Sequence, residues 1–161
     1  MKKNIIVGIA AFDIVSAPIN IMTIGLGSCV GIALYDRGKN ITGLIHIMLP
    51  DSECFSNKSN PYKFADTAIP LVLDEMVKRG ALRFRIKAKI AGGAQMFKSQ
   101  DYKFSNDIGN RNIAAVEKVL SECRITIDGK DVGGNKGRTM LVDSSTGMVV
   151  IKSMGKNVLE F

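Results

Sequence analysis

With three cysteines and a single histidine in the chain, any cysteine–imidazole pair must use His46. A free thiol with a pKa of about 8.5 is only a few per cent thiolate at neutral pH, so a nucleophilic cysteine needs a basic partner. Cys29 sits in Gly25-Leu26-Gly27-Ser28-Cys29-Val30-Gly31. Glycines there let the backbone turn sharply and bring N–H groups, those of Gly27 and Ser28 among them, close to a bound carbonyl. The same residue also reads as a small buried hydrophobe at the start of a strand. Cys54 lies in a polar loop without a glycine-rich cradle, and Cys123 falls on the apolar stripe of a helix, where a thiol is inert core. His46, inside Leu44-Ile45-His46-Ile47-Met48, is either a satisfied structural histidine or the base. Residues 25–31 approach a dinucleotide fingerprint, but Val30 stands where its third glycine belongs. Residues 133–138 lack the spacing of a phosphate-binding loop and read as a solvated turn. No CxxC pair occurs, and zinc with one histidine would need an unusual ligand set, so no metal or cofactor is expected.

Several elements must position these groups. Short apolar runs (IIVGIAAF, INIMTIGL, CVGIALY) separated by turn residues predict strands over the first thirty-six residues. A further run, ITGLIHIML, ends at Pro50. The strands carrying Cys29 and His46 are joined by a short turn near Arg37-Gly38-Lys39, so they can pair antiparallel and bring the side chains within reach. That spacing permits a dyad without requiring one. Residues 51–61 are Ser- and Asn-rich and predict a loop. Phe64, Ala68, Leu71, Val72 and Met76 recur at helical spacing, with Gly80 placed to cap the end. Pro70 conflicts with that helix, which must either kink there or begin nearer to it. A second helix carries Ile113, Val116, Leu120 and Cys123 on one stripe, capped by Asn106 or Asp107. Between the helices, Arg83 to Ile90 alternates basic and apolar residues, predicting a half-buried strand with a basic face. ITIDG, RTMLVDSSTG and MVVIKS predict closing strands with a Ser-Ser-Thr-Gly hairpin turn. The expectation is an α/β fold of the α+β type: a layered sandwich of mostly antiparallel sheet with two main helices, in a single domain over 1–161.

Composition narrows the function classes. The chain has 161 residues, 46% hydrophobic and 23% charged, with a net charge of +7. This excludes a disordered or collagen-like chain. No apolar run approaches the roughly 18–20 residues needed to span a bilayer, so no membrane insertion is expected. Lys2 and Lys3 precede an apolar stretch, but Asp13 interrupts it and no clean A-x-A site follows, so the expected location is cytoplasmic. The stripe of Arg83, Arg85, Lys87 and Lys89 has few aromatic companions and no nucleic-acid motif, so no nucleic acid is expected. It reads as a solvated face, or as a surface steering an acidic partner. Met96 and Phe97, after small residues, read either as a docking surface or as closure of the core.

Thr23-Ile24-Gly25-Leu26-Gly27-Ser28-Cys29-Val30, His46-Ile47-Met48-Leu49-Pro50 and Tyr62-Lys63-Phe64-Ala65-Asp66-Thr67-Ala68 resemble segments of the CheD family. Ala88 to Phe97, Ile108-Gly109-Asn110-Arg111-Asn112 and Gly133-Gly134-Asn135 continue the resemblance in order, over nearly the whole chain. Pro70 departs from the family, whose helix runs through that position. The resemblance implies a chemoreceptor glutamine deamidase, related in fold to a bacterial toxin deamidase, with a Cys-His-Thr triad at Cys29, His46 and Thr23. It implies hydrolysis of selected receptor glutamines to glutamate and ammonia, and association with a CheC-type phosphatase acting on phosphorylated CheY. A regulatory module that chiefly stimulates that phosphatase is the alternative. On this reading Cys29 attacks as a thiolate paired with the His46 imidazolium, and Thr23 orients the ring.

Overall fold

The structure, a computed structural model, describes residues 2–96, 107–155 and 158–161. Ten strands and two α-helices lie among the described residues. The strands are β1 (Asn4–Val7), β2 (Ala11–Ser16), β3 (Asn20–Leu26), β4 (Val30–Asp36), β5 (Ile41–Ile47), β6 (Lys87–Gly92), β7 (Thr126–Val132), β8 (Arg138–Val142), β9 (Val149–Ser153) and β10 (Leu159–Glu160). The helices are α1 (Ala65–Lys78) and α2 (Ile108–Glu122). They form two sheets rather than one, ordered β1-β3-β8-β9-β10 and β2-β5-β4-β6-β7. Pairing is antiparallel except for β1 with β3 and β6 with β7. The mostly antiparallel α+β expectation holds.

Three layers follow from which face each apolar residue takes. β4 and β5 are buried along their whole length because both of their faces are covered. Val30, Ile32, Leu34, Ile45 and Ile47 point to the helices, where they meet Ala68, Ile69, Val72, Leu73, Met76, Val116 and Leu120. Their alternates Ala33 and Leu44 point to the second sheet and pack with Ile21, Leu26, Met140 and Val142. By the same alternation His46, two residues from Leu44, belongs to the seam between the sheets.

Helix α1 begins at Ala65 and runs through Pro70, so the alternative of a start near the proline fails. Leu71, expected on its apolar stripe, is exposed, and the buried face uses Ile69 and Leu73 instead. Gly80 adopts a φ of +107° just past the helix end, as its capping role requires. Helix α2 buries Val116 and Leu120, with Ile113 and Cys123 packed against the same core. Asp107 precedes the helix without a side-chain cap bond, and Asn106 lies outside the described residues.

The basic run is not one strand. Residues Arg83–Arg85 form a 3-10 turn, and β6 begins only at Lys87. The cause is Asp36, whose carboxylate accepts from the Leu82 N–H at 2.8 Å and pairs with Arg85 Nε at 3.2 Å, pinning the turn to the end of β4. Each cation then finds its own partner. Arg83 donates to the Cys123 carbonyl, and Lys89 Nζ donates to the carbonyls of Gly147 and Phe161. Phe84, expected on the apolar, buried face of that strand, is 84% exposed.

Candidate active site

His46 is held where two sheets meet. Its register neighbours are Ala11 on β2 and Gly31 on β4, both small. A Cβ on Gly31 would fall 2.9 Å from Met140 Sδ and 3.1 Å from Leu26 Cδ1, so the missing side chain is what lets β3 and β8 close over the imidazole. β3 carries Thr23 inward at this point. Its register against β8 shifts between Thr23 and Leu26, and Gly25 sits in that bulge with φ +76°. The extra residue turns Leu26 back into the seam after Thr23.

Thr23 Oγ1 lies 2.7 Å from His46 Nδ1 and 2.7 Å from the Val7 carbonyl oxygen, with Thr23 and His46 both fully buried. A carbonyl can only accept, so the hydroxyl proton goes to Val7 and Oγ1 must accept from Nδ1–H. This fixes the tautomer: Nε2 carries the lone pair. Nε2 is buried and has no hydrogen-bond partner among the described residues. Burial holds the imidazole down to a pKa of about 4, so the ring is neutral at physiological pH.

Cys29 stands one residue before β4, two before Gly31, and packs against the same inter-sheet cluster. Cysteine and imidazole therefore share one face, as the expected pairing across the turn requires. Burial pushes the Cys29 thiol above its ordinary value, against a smaller lowering by its own backbone N–H. Thiol and imidazole are thus both neutral at rest. The thiolate–imidazolium pair expected from the sequence does not suit so dry a seam, where both charged forms are desolvated.

The loop bearing the cysteine is braced from beneath. Gly93 N–H donates to the Cys29 carbonyl and Ala94 N–H to the Gly27 carbonyl, each at 2.8 Å. Gly92 has φ +110°, and a Cβ there would lie 2.2 Å from the Cys29 oxygen. Arg138, almost fully buried, donates to the Gly92 carbonyl at 2.8 Å and to the Gly133 carbonyl, and pairs with Asp131. The 133–138 segment, read as a solvated turn, is therefore partly a brace. Its Gly134 carbonyl also accepts from Gln95 N–H at 2.8 Å. The glycine-rich pattern signalled these positions but not their target.

Of the expected oxyanion donors, Gly27 N–H is committed to the Gly25 carbonyl at 3.1 Å. Apart from the approach of Cys29 N–H to its own sulfur, the N–H groups of Ser28 and Cys29 have no partner among the described residues. Cys54 is exposed on a 3-10 turn, Ser52–Cys54, whose Ser52 is fastened to Asp66 of α1. Met96 is 45% exposed and would lie 3.2 Å from a Cβ on Gly27, at the rim of the cysteine loop. Phe97 lies outside the described residues. Among the described residues no cluster of His, Cys, Asp and Glu could hold a metal, and no helix is long and apolar enough to cross a membrane.

The sequence has close relatives. A family model described as CheD chemotactic sensory transduction matches residues 48–153. A protein of Clostridium botulinum (strain Alaska E43 / Type E3), named "Probable chemoreceptor glutamine deamidase CheD", is 57% identical over 154 residues, 96% of this chain and 95% of its own. Its namesake in Clostridium kluyveri is 54% identical over 158 residues, 98% of each chain. Another, in Clostridium novyi (strain NT), is 54% identical over 157 residues, 98% of this chain and 97% of its own.

Proposed function

The chain belongs to the CheD family, and we propose that it performs the chemoreceptor glutamine deamidation for which its relatives are named, with Cys29 as nucleophile, His46 as base and Thr23 as the group that orients the base. The carrying observation is the buried Nε2, without a partner among the described residues, of an imidazole whose other nitrogen is tied to Thr23. Substrate reaching the Cys29 edge presents its side-chain amide to the sulfur. Nε2 takes the thiol proton as the sulfur attacks the amide carbon, and backbone N–H groups at Ser28 and Cys29 receive the developing oxyanion. The imidazolium then gives its proton to the leaving nitrogen, and ammonia departs from a thioester. Water, deprotonated by Nε2, attacks that thioester and releases glutamate and the thiol.

General-base activation suits the neutral resting pair better than a preformed ion pair, because charge appears only while substrate covers the seam. The substrates are the cytoplasmic helices of chemoreceptors, which puts the protein in the cytoplasm as one deamidase domain. A CheC-type phosphatase is the second partner. The exposed Met96 at the rim of the cysteine loop supports docking there. The reading as chiefly a regulatory module is not adopted, since the relatives carry the name of an enzyme.

The test is mass spectrometry of a receptor fragment for a gain of about 1 Da at glutamine, the change when –NH2 becomes –OH. Cys29→Ala is expected to abolish the shift and Cys54→Ala to retain it. Wild-type turnover in Cys29→Ala would overturn the assignment.

A further inference from the structure

A fully buried asparagine outside the triad ties its two arms together. Asn112 of α2 donates from Nδ2 to the Ser28 carbonyl at 2.9 Å and to the Met48 carbonyl at 3.0 Å. Ser28 immediately precedes the nucleophile, and Met48 lies two residues beyond His46. Because both neighbours are acceptors, the carboxamide can face them only with its nitrogen. Its oxygen has no partner among the described residues. A buried acceptor left unpaired is costly, so the site keeps this amide for its two donors. One turn earlier, Gly109 lets α2 approach closely: a Cβ there would lie 2.6 Å from the carbonyl oxygens of both Gly93 and Ala94.

We propose that Asn112 is a positioning residue for the deamidation, holding the Ser28–Cys29 peptide so that the Cys29 N–H faces the oxyanion of the tetrahedral intermediate. This rests on Cys29 being the nucleophile. A peptide unit is planar, and among the described residues only Ala17–Pro18 is cis. In a trans unit the N–H points opposite to the C=O. Drawing the Ser28 oxygen toward α2 therefore turns the Cys29 N–H away from the helix, onto the side of its own sulfur. The second bond, to Met48, holds the end of β5 to the same anchor, so nucleophile loop and base strand share one spacer.

The test uses Asn112→Asp and Asn112→Ser in the full chain with Cys54→Ala. Ammonia release from a receptor fragment gives kcat and KM. Circular dichroism and urea titration give the fraction of folded sites, and the rate of Cys29 alkylation by iodoacetamide, followed on its peptide by mass spectrometry, reports the thiol–imidazole pair. Alkylation at a saturated carbon builds no oxyanion, so it is blind to the donor. Expected is a kcat per site lowered about 10- to 100-fold, with KM and alkylation rate within about threefold of the parent. A kcat per site within twofold of the parent overturns the proposal. So does an alkylation rate that falls in proportion to kcat, or failure of both variants to fold, either of which makes Asn112 a general scaffold residue. If Cys29→Ala keeps wild-type turnover, the nucleophile reading itself has failed; if it is inactive while the Asn112 variants match the parent, only the positioning role has.

Discussion

Removing one hydroxyl should disable the base without touching it. Thr23→Val keeps the shape of the side chain and deletes the oxygen that lies 2.7 Å from both Nδ1 and the Val7 carbonyl. Two buried groups then lose their partner, at about 1–3 kcal/mol each, so unfolding free energy should fall by about 2–4 kcal/mol after partial relaxation. The catalytic effect has a separate origin. Without an acceptor at Nδ1, the ring no longer prefers the tautomer that leaves Nε2 free. Losing about 1–2 kcal/mol of that bias lowers kcat about 5- to 30-fold.

Thr23→Ser separates the two effects. It retains the hydroxyl relay and loses only a methyl group, worth about 0.8 kcal/mol, so its kcat should stay within about threefold of wild type. Thr23→Ala should still be milder than loss of Cys29 or His46, because it misorients a base that remains present. The assay is ammonia release from a receptor fragment, scaled to the folded fraction from urea titration. A Thr23→Val enzyme with kcat within twofold of wild type would refute the tautomer argument, whatever its stability.

Gly92→Ala should lose at least about 2 kcal/mol in chemical denaturation, since its φ of +110° and the Cys29 oxygen 2.2 Å from the new Cβ both oppose it; unchanged stability would show that the brace is not rigid. With the imidazole at about 4 and the thiol raised by burial, kcat/KM should inflect on the acid side between about pH 4 and 5 and stay level from about pH 6 to 8; an alkaline fall centred below pH 8 would point instead to an ion pair. His46→Leu should abolish turnover yet stay close to wild type in stability at pH 7, because loss of the bond to Thr23 is offset by removal of a buried nitrogen with no partner among the described residues. The folded imidazole titrates near 4 and the unfolded one at its ordinary 6.5, so wild type loses stability as pH falls from 6.5 toward 4, about 3 kcal/mol in all. His46→Leu should lack that loss, and parallel acid titrations of the two proteins would refute the burial argument.

Periodicity made the helices and the inner strands legible, because burial on one face repeats along the sequence. It could not reveal that the strands divide into two sheets, since β3 and β4 read alike although one pairs with β8 and the other with β5. The basic run failed for a nameable reason: alternation at residues 83–86 was overridden by the Asp36 carboxylate, a contact 46 residues away from Leu82. At the site, Cys29 and His46 stood out by residue type and scarcity. Thr23 did not, because an inward threonine on a strand has no local signature, and only family resemblance singled it out. Asn112 and Gly92 appeared within motifs whose purpose depends on long-range contacts. The protonation states could not be read at all, since desolvation depends on how the sheets close.

That closure explains why the proposed triad is divided as it is. The proposed base lies on the inner sheet and the proposed nucleophile just before it, whereas the hydroxyl proposed to orient the ring comes from the outer sheet, beside a strand whose carbonyl receives its proton. The tautomer is therefore set only when the two sheets are assembled, which would couple the proposed activity to tertiary packing rather than to local chain geometry. The cost is visible at the site in His46 Nε2 and Asn112 Oδ1, both buried without partners among the described residues. Each lowers stability by about 1–3 kcal/mol, a large fraction of the net stability of a domain this size. On the proposed mechanism Nε2 stays unpaired at rest to accept the thiol proton, so its cost is inherent in that reaction. The Asn112 oxygen is a different case: it is left over from a side chain whose two donors are both in use.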